Sequence, residues 1–219
     1  MAATSQTPHF TIPGMSMEDG GSVAAILQDR LNGLNDLALT LKHVHWNVVG
    51  PNFVAVHEML DPQIDAVREM VDECAERMAT LGASPLGTPG VIVEQRTWDD
   101  YSLARASTQE HLGALDLVYT GVITSHRTAQ QECADLDPVS EDMVIGQLRQ
   151  LELFHWLCAL TWRTPVVPCR RRAQPARPTP PAKPARPPQR TARAAELAAP
   201  RAVVRLTPRR GAALASART

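Results

Sequence analysis

The chain has 219 residues, 44% of them hydrophobic and 4% aromatic, and a formal net charge of −1. That near-neutral total conceals a division: residues 1–162 carry 8 Lys/Arg against 22 Asp/Glu, whereas residues 163–219 carry 14 Lys/Arg and a single acid, Glu196. No apolar run approaches a membrane span, the N-terminus lacks the basic and apolar stretches of a signal peptide, and Cys74, Cys133, Cys158 and Cys169 form no CxxC pair. The expectation is a cytosolic chain with reduced, unpaired thiols, not a membrane protein or a cysteine-built zinc protein.

Residues 1–20 are polar and free of Lys and Arg, and read as a flexible arm. A first helix is expected at about 22–49, because Val23, Ile26, Leu27, Leu31, Leu34, Leu37, Leu41, Val44 and Val48 recur at helical spacing. Gly50-Pro51-Asn52 turns the chain. Asn52 is a candidate cap for a second helix over 53–81, and Gly82 a natural stop. Residues 82–97 read as a loop with a short helix near Val91–Gln95. Thr97, with Asp100 three residues on, resembles a cap for a third helix at about 99–135. Along it Leu103, Leu112, Leu115, Val118, Val122 and Ile123 fall on one side. Asp137-Pro138 breaks the chain, and Ser140 is the candidate cap for a fourth helix, which continues through Val144, Leu148, Leu151 and Leu153 to about Trp162. There is no β signature and no internal repeat. Four long helices, two short turns and one longer crossover make an all-α, four-helix bundle over residues 21–162.

The chemistry concentrates between His45 and Glu76. On the second helix His57 and Asp61 are four residues apart, as are Asp72 and Glu76, so each pair occupies adjacent turns of one face. The pairs are separated by roughly 16 Å along the axis, too far for one small metal site. Two copies packed antiparallel about a two-fold axis unite them. The midpoint between residues 66 and 67 bisects both 57–76 and 61–72, so one register sets His57 opposite the partner's Glu76 and Asp61 opposite the partner's Asp72. Isologous pairing of this kind is the commonest oligomeric contact. Such clusters of imidazole and carboxylate suit Fe(II), Mn or Zn. His45 ends the first helix and lies within reach of His57 across the turn. Taken alone, each pair is more often an ordinary wet helix face; the shared register favours the metal reading without settling it.

The segment HVHWNVVGPNFVAVHEMLD, followed by Asp-x-x-x-Glu-Arg, resembles the mini-ferritins, the Dps family of DNA-protecting proteins of starved bacterial cells, of mycobacterial or actinobacterial type. The likeness spans about residues 10–160. It implies a ferritin-like bundle whose metal ligands are His45, His57 and Asp61 from one subunit and Asp72 and Glu76 from its two-fold mate. It places Trp46 beside the iron, as an electron donor or radical quencher. It implies that Fe(II) is oxidised, preferentially by hydrogen peroxide, and stored as ferric mineral in a hollow homo-oligomer, a dodecamer, located in the cytoplasm and nucleoid. Glu152 and His155 form the Glu-x-x-His of larger di-iron bundles, but a second copy is missing, so a chance pair is the expectation.

The tail, residues 163–219, holds 11 of the 18 prolines and is expected to be disordered. With its excess of Arg it would bind DNA phosphates without reading sequence. That permits an alternative in which the chain is a nucleoid-compacting protein with a purely structural metal site. The likeness to the family stops after about Leu157, and an Arg/Pro/Ala-rich run is also what an out-of-frame reading of GC-rich DNA gives. Both readings of the tail stand at this point.

Overall fold

The computed structural model of the protein describes residues 9–163. These form helices α1 (Met17–Asn47), α2 (Phe53–Thr80), α3 (Pro89–Gln95), α4 (Thr108–Ala134) and α5 (Pro138–Arg163), with two-residue strands β1 (Val48–Val49) and β2 (Ala106–Ser107). The four long helices and the short crossover helix α3 are the expected bundle. The tail beyond Arg163, including Cys169, lies outside the described residues, as does the arm before His9.

The helix pairs α1–α2 and α4–α5 pack as two hairpins, and α1 lies against α4. Leu27, Leu31, Leu34, Leu37 and Leu41 of α1 meet Leu60, Ile64 and Val67 of α2, Leu112, Leu115 and Tyr119 of α4, and Val144 and Leu151 of α5, all essentially inaccessible. Each such side chain contributes about 1.5–3 kcal/mol of burial. Two expected members of the apolar seams differ: Leu103 precedes α4, and Leu153 is exposed. Cys74, Cys133 and Cys158 are buried and free, and burial pushes their thiols up to about 11, 11 and 12.

Several boundaries differ from the sequence reading, each for a local reason. Helix α1 starts at Met17, inside the expected arm, because the Ser16 side chain accepts from Asp19 N at 3.0 Å, and Glu18 and Asp19 favour the first turn. The Gly20-Gly21 pair does not break it. A Cβ on Gly20 would lie 2.7 Å from Thr11 Oγ1, so the site demands a close approach. Asn52 makes no side-chain cap; Phe53 N donates to Gly50 O instead, with Gly50 at φ 112°. Helix α4 starts at Thr108, not near 99. Ser107 and Glu110 complete a reciprocal capping box there, whereas Asp100 is taken by Arg96 at 3.1 Å and by Tyr101 N at 3.0 Å. At α5 the cap is Asp137 and not Ser140: its carboxylate accepts from Val139 N and Ser140 N, with Pro138 at the first helical position.

The bundle also contains a strand pair, which the sequence reading lacked. β1 and β2 pair in parallel, Val48 beside Ala106 and Val49 beside Ser107. Two residues per strand are too few to show alternation in sequence. With Trp98 Nε1 donating to Asp36 (2.8 Å) and His43 Nε2 to the Leu103 carbonyl (2.7 Å), this pairing straps the crossover across α1. Among the described residues no helix is long and apolar enough to cross a membrane.

Gly82 ends α2 with φ 83°, and a Cβ there would meet the Phe10 carbonyl oxygen at 1.9 Å. Gly82→Ala is therefore expected to cost at least the left-handed penalty of about 1–2 kcal/mol and to displace the segment around Phe10. A lowered urea midpoint measures this, and an unchanged midpoint would refute it.

Candidate metal centre

The last turn of α1 and the first turns of α2 bring His45 and His57 face to face. Their rings stack with centroids 3.6 Å apart and planes 23° apart. The contact is reciprocal: His45 Nδ1 donates to the His57 carbonyl at 3.0 Å, and His57 Nδ1 donates to the His45 carbonyl at 2.9 Å. A carbonyl can only accept, so each Nδ1 carries a proton, and in the neutral ring each Nε2 keeps its lone pair. Backbone thus fixes the tautomer that leaves a metal-binding nitrogen. His45 is buried and His57 half-buried.

Asp61, one turn beyond His57, joins them. Its Oδ1 lies 3.2 Å from His45 Nδ1 and accepts from Lys42 Nζ at 3.1 Å. The Lys42 hydrogen bond is the main cause that holds the Asp61 carboxyl below its ordinary range, aided by the nearby His45 and opposed by partial desolvation. A carboxylate is therefore available at neutral pH.

Asp72 and Glu76 are exposed on the same helix and make no ion pair among the described residues. Within one chain they stay apart from the other donors of α2: Asp72 lies roughly 16 Å of helix beyond Asp61, and roughly 22 Å beyond His57. Among the described residues no three His, Cys, Asp or Glu side chains converge as a metal site would require. His45 contacts both His57 and Asp61, but the three do not converge on one point. One chain therefore presents an open set of donors at one end of α2 and two unpaired carboxylates towards the other.

Trp46 is 71% exposed, and Val49, Phe53 and Val54, which follow it within eight residues of sequence, are further exposed apolar residues. Large apolar residues left exposed in the segment that carries the donors fit a surface that another molecule covers.

Glu152 and His155 do not form a ligand pair. Glu152 pairs with Arg127, and His155 Nε2 contacts Asp116 Oδ1 at 2.9 Å. Two contributors were missed in the sequence. Lys42 precedes His45 by three residues, so helical spacing could have placed it on that face. Arg77, the last residue of Asp-x-x-x-Glu-Arg, turns the other way: its Nη2 reaches Asp137 Oδ2 at 2.5 Å and its Nε donates to Ser140 Oγ at 2.9 Å. It ties α2 to the start of α5.

Against known proteins, the model of the ferritin-like domain matches residues 24–164. The DNA protection during starvation protein of Mycolicibacterium smegmatis is 58% identical over 147 residues, covering 67% of this chain and 80% of that protein. The fine tangled pili major subunit of Haemophilus ducreyi is 53% identical over 146 residues, covering 67% and 77%. Among solved structures, DpsA14 from Streptomyces coelicolor superposes with a TM-score of 0.71 at 55% identity, covering 73% of this chain and 95% of that one.

Proposed function

Because the chain belongs to the Dps family, the ferritin-like proteins of DNA protection during starvation, we propose that it oxidises Fe(II), preferentially with hydrogen peroxide, at sites shared between two subunits. The ferric product is stored inside a hollow homo-oligomer, a dodecamer, in the cytoplasm and nucleoid. The observation that carries this reading is the placement of His45, His57 and Asp61 together at one end of α2, with Asp72 and Glu76 further along the same helix and uncommitted among the described residues.

Each residue has a distinct task. His45 and His57, with Nδ1–H spent on carbonyls, offer their Nε2 nitrogens as donors. Asp61, Asp72 and Glu76 neutralise the charge of Fe(II), and the mixed N/O set suits that ion. Lys42 holds Asp61 ionised until the cation takes its place. Trp46, next in sequence to His45 and accessible, is placed to give an electron or quench a radical. Iron leaves as the ferric ion and peroxide is reduced to water, so both ingredients of radical damage to DNA disappear.

The acidic body, residues 21–162, draws cations towards it. The tail at 163–219, with a formal charge of +13, supports non-specific and salt-sensitive contact with DNA phosphates. The two properties are compatible in one assembly.

Stopped-flow absorbance of ferric product, with peroxide or dioxygen as oxidant, tests the proposal alongside solution mass. The expected result is faster oxidation with peroxide by a particle far larger than a dimer. The double variant His45→Ala/His57→Ala should keep that mass and oxidise iron slowly. A lost assembly would instead mark a structural metal site, and an unchanged rate would remove the histidines from the reaction.

A further inference from the structure

The flank of α2 that carries the iron donors also carries Asp65 and Arg68. Both are exposed, and neither side chain makes a hydrogen bond or ion pair with another described residue. Arg68 is unusual in this. The other cation of α2, Arg77, is engaged by Asp137 and Ser140 of its own chain.

Helix geometry places the pair. At about 100° per residue, His57, Arg68, Asp61, Asp72, Asp65 and Glu76 fall, in that order, within an arc of about 100°. Asp65 and Arg68 each lie about 30° from its middle, closer than His57 or Glu76. The buried stripe of Val56, Leu60, Ile64, Val67 and Cys74 lies on another side of the helix. The midpoint between residues 66 and 67, which sets Asp61 against the partner's Asp72, also bisects 65–68. In that one register each Asp65 faces the partner's Arg68, and each Arg68 the partner's Asp65, next to the two-fold axis and between the two iron pockets.

The charge balance calls for such a contact. The exposed residues of α2 include Glu58, Asp65, Glu69, Asp72, Glu73 and Glu76. Two copies of this face repel unless cations intervene, and like charges held together are strongly unfavourable. Fe(II) relieves the pockets only when bound. Arg68 is the cation of α2 without a partner among the described residues.

We propose that Asp65 and Arg68 form reciprocal ion pairs with the partner's Arg68 and Asp65 across the two-fold axis, and that these pairs set the register in which both iron pockets close. The inference rests on the shared-site reading above and adds two positioning residues that do not touch the iron.

The test is charge reversal and exchange in the full-length chain: Asp65→Arg, Arg68→Asp, and the double variant Asp65→Arg/Arg68→Asp. Solution mass, Fe(II) oxidation with peroxide, and helical circular dichroism are read on each. Both positions are exposed, so all three variants should keep the helical signal. Each single reversal is expected to shift the mass to smaller species and to slow oxidation by about tenfold or more, since it sets like charges face to face twice. The exchange restores opposite charges and is expected to return mass and rate to within about twofold of the parent, a rescue that loss of generic helix stability would not show. The milder Arg68→Gln should show an intermediate loss, so the pair can still be judged if a reversal fails to fold. Single reversals with parental mass and rate overturn the inference, as does an exchange no better than the singles. If the parent oxidises no iron while mass still follows the charge rule, the ion pair stands and the iron reading fails. Brisk oxidation in every variant has the opposite meaning.

Discussion

Chains lacking His57 and chains lacking Asp72 and Glu76, inactive separately, are expected to recover iron oxidation when co-assembled. His57→Ala removes a donor from one side of each pocket, and Asp72→Asn/Glu76→Gln removes two from the other. Outer-shell losses alone cost on the order of 10–100-fold at metal sites, so each homomer should fall at least that far. In a two-fold dimer of one chain with the other, one pocket collects every defect and its symmetry mate collects none. Random association at equal amounts should therefore restore roughly a quarter of the parental sites. The measurement is the initial rate of ferric product at constant total protein. A mixed sample no faster than the average of the two homomers would mean that a single chain holds the entire site. The result would bear directly on why His45 meets His57 and Asp61 in one chain while Asp72 and Glu76 remain apart.

The largest expected loss of stability is at Asp137. It is nearly inaccessible, caps α5, accepts a hydrogen bond from Ser140 Oγ, and faces Arg77, whose side chain is 14% exposed. Asp137→Ala removes the cap and strands the guanidinium, a combination expected to cost about 3–5 kcal/mol. Asp137→Asn, which can still accept at the helix start, should cost less. The pH dependence has a definite sign. Burial alone would raise the Asp137 carboxyl, but the Ser140 and Arg77 hydrogen bonds and the Arg77 charge outweigh it and hold it below its ordinary value. A depressed carboxyl contributes stability above its unfolded value, about 3.9, and that contribution disappears as pH falls through the folded value. Urea midpoints of parent and Asp137→Asn should accordingly converge below about pH 4 and diverge above it. A constant gap between them across pH 2–7 would count against the ion pair.

Most of the bundle was legible because its apolar residues recur at one period along long, uninterrupted segments. Leu27 through Leu41 announce α1, and the turn at Gly50 follows directly. What misled was competition between local signals of similar strength. Thr97 and Asp100 mimic a capping box, but Arg96 and Tyr101 claim Asp100, while Ser107 and Glu110 satisfy each other ten residues later. Residues 1–20 read as an arm because they are polar, yet Met17 to Gly20 are helical, with Gly20 in close approach to Thr11. The strand pair joins segments far apart in the chain, and four residues carry no periodicity.

At the site, the spacing of His57 and Asp61 and the place of His45 before the turn were sufficient to bring the three together. The reciprocal hydrogen bonds to carbonyls were not visible in sequence, because backbone acceptors have no residue signature. Lys42 escaped notice because its carboxylate lies 19 residues away, across the turn.

The three buried thiols bear on durability under oxidant attack. Peroxide converts the thiolate, and hardly the thiol, into sulfenic acid and then into irreversible higher acids. With ionisation moved to about 11 or 12, no more than about one sulfur in ten thousand is reactive at pH 7, and the core shields even that one. Cys74, Cys133 and Cys158 can thus serve as plain packing atoms in a protein whose proposed co-substrate would corrode exposed cysteines.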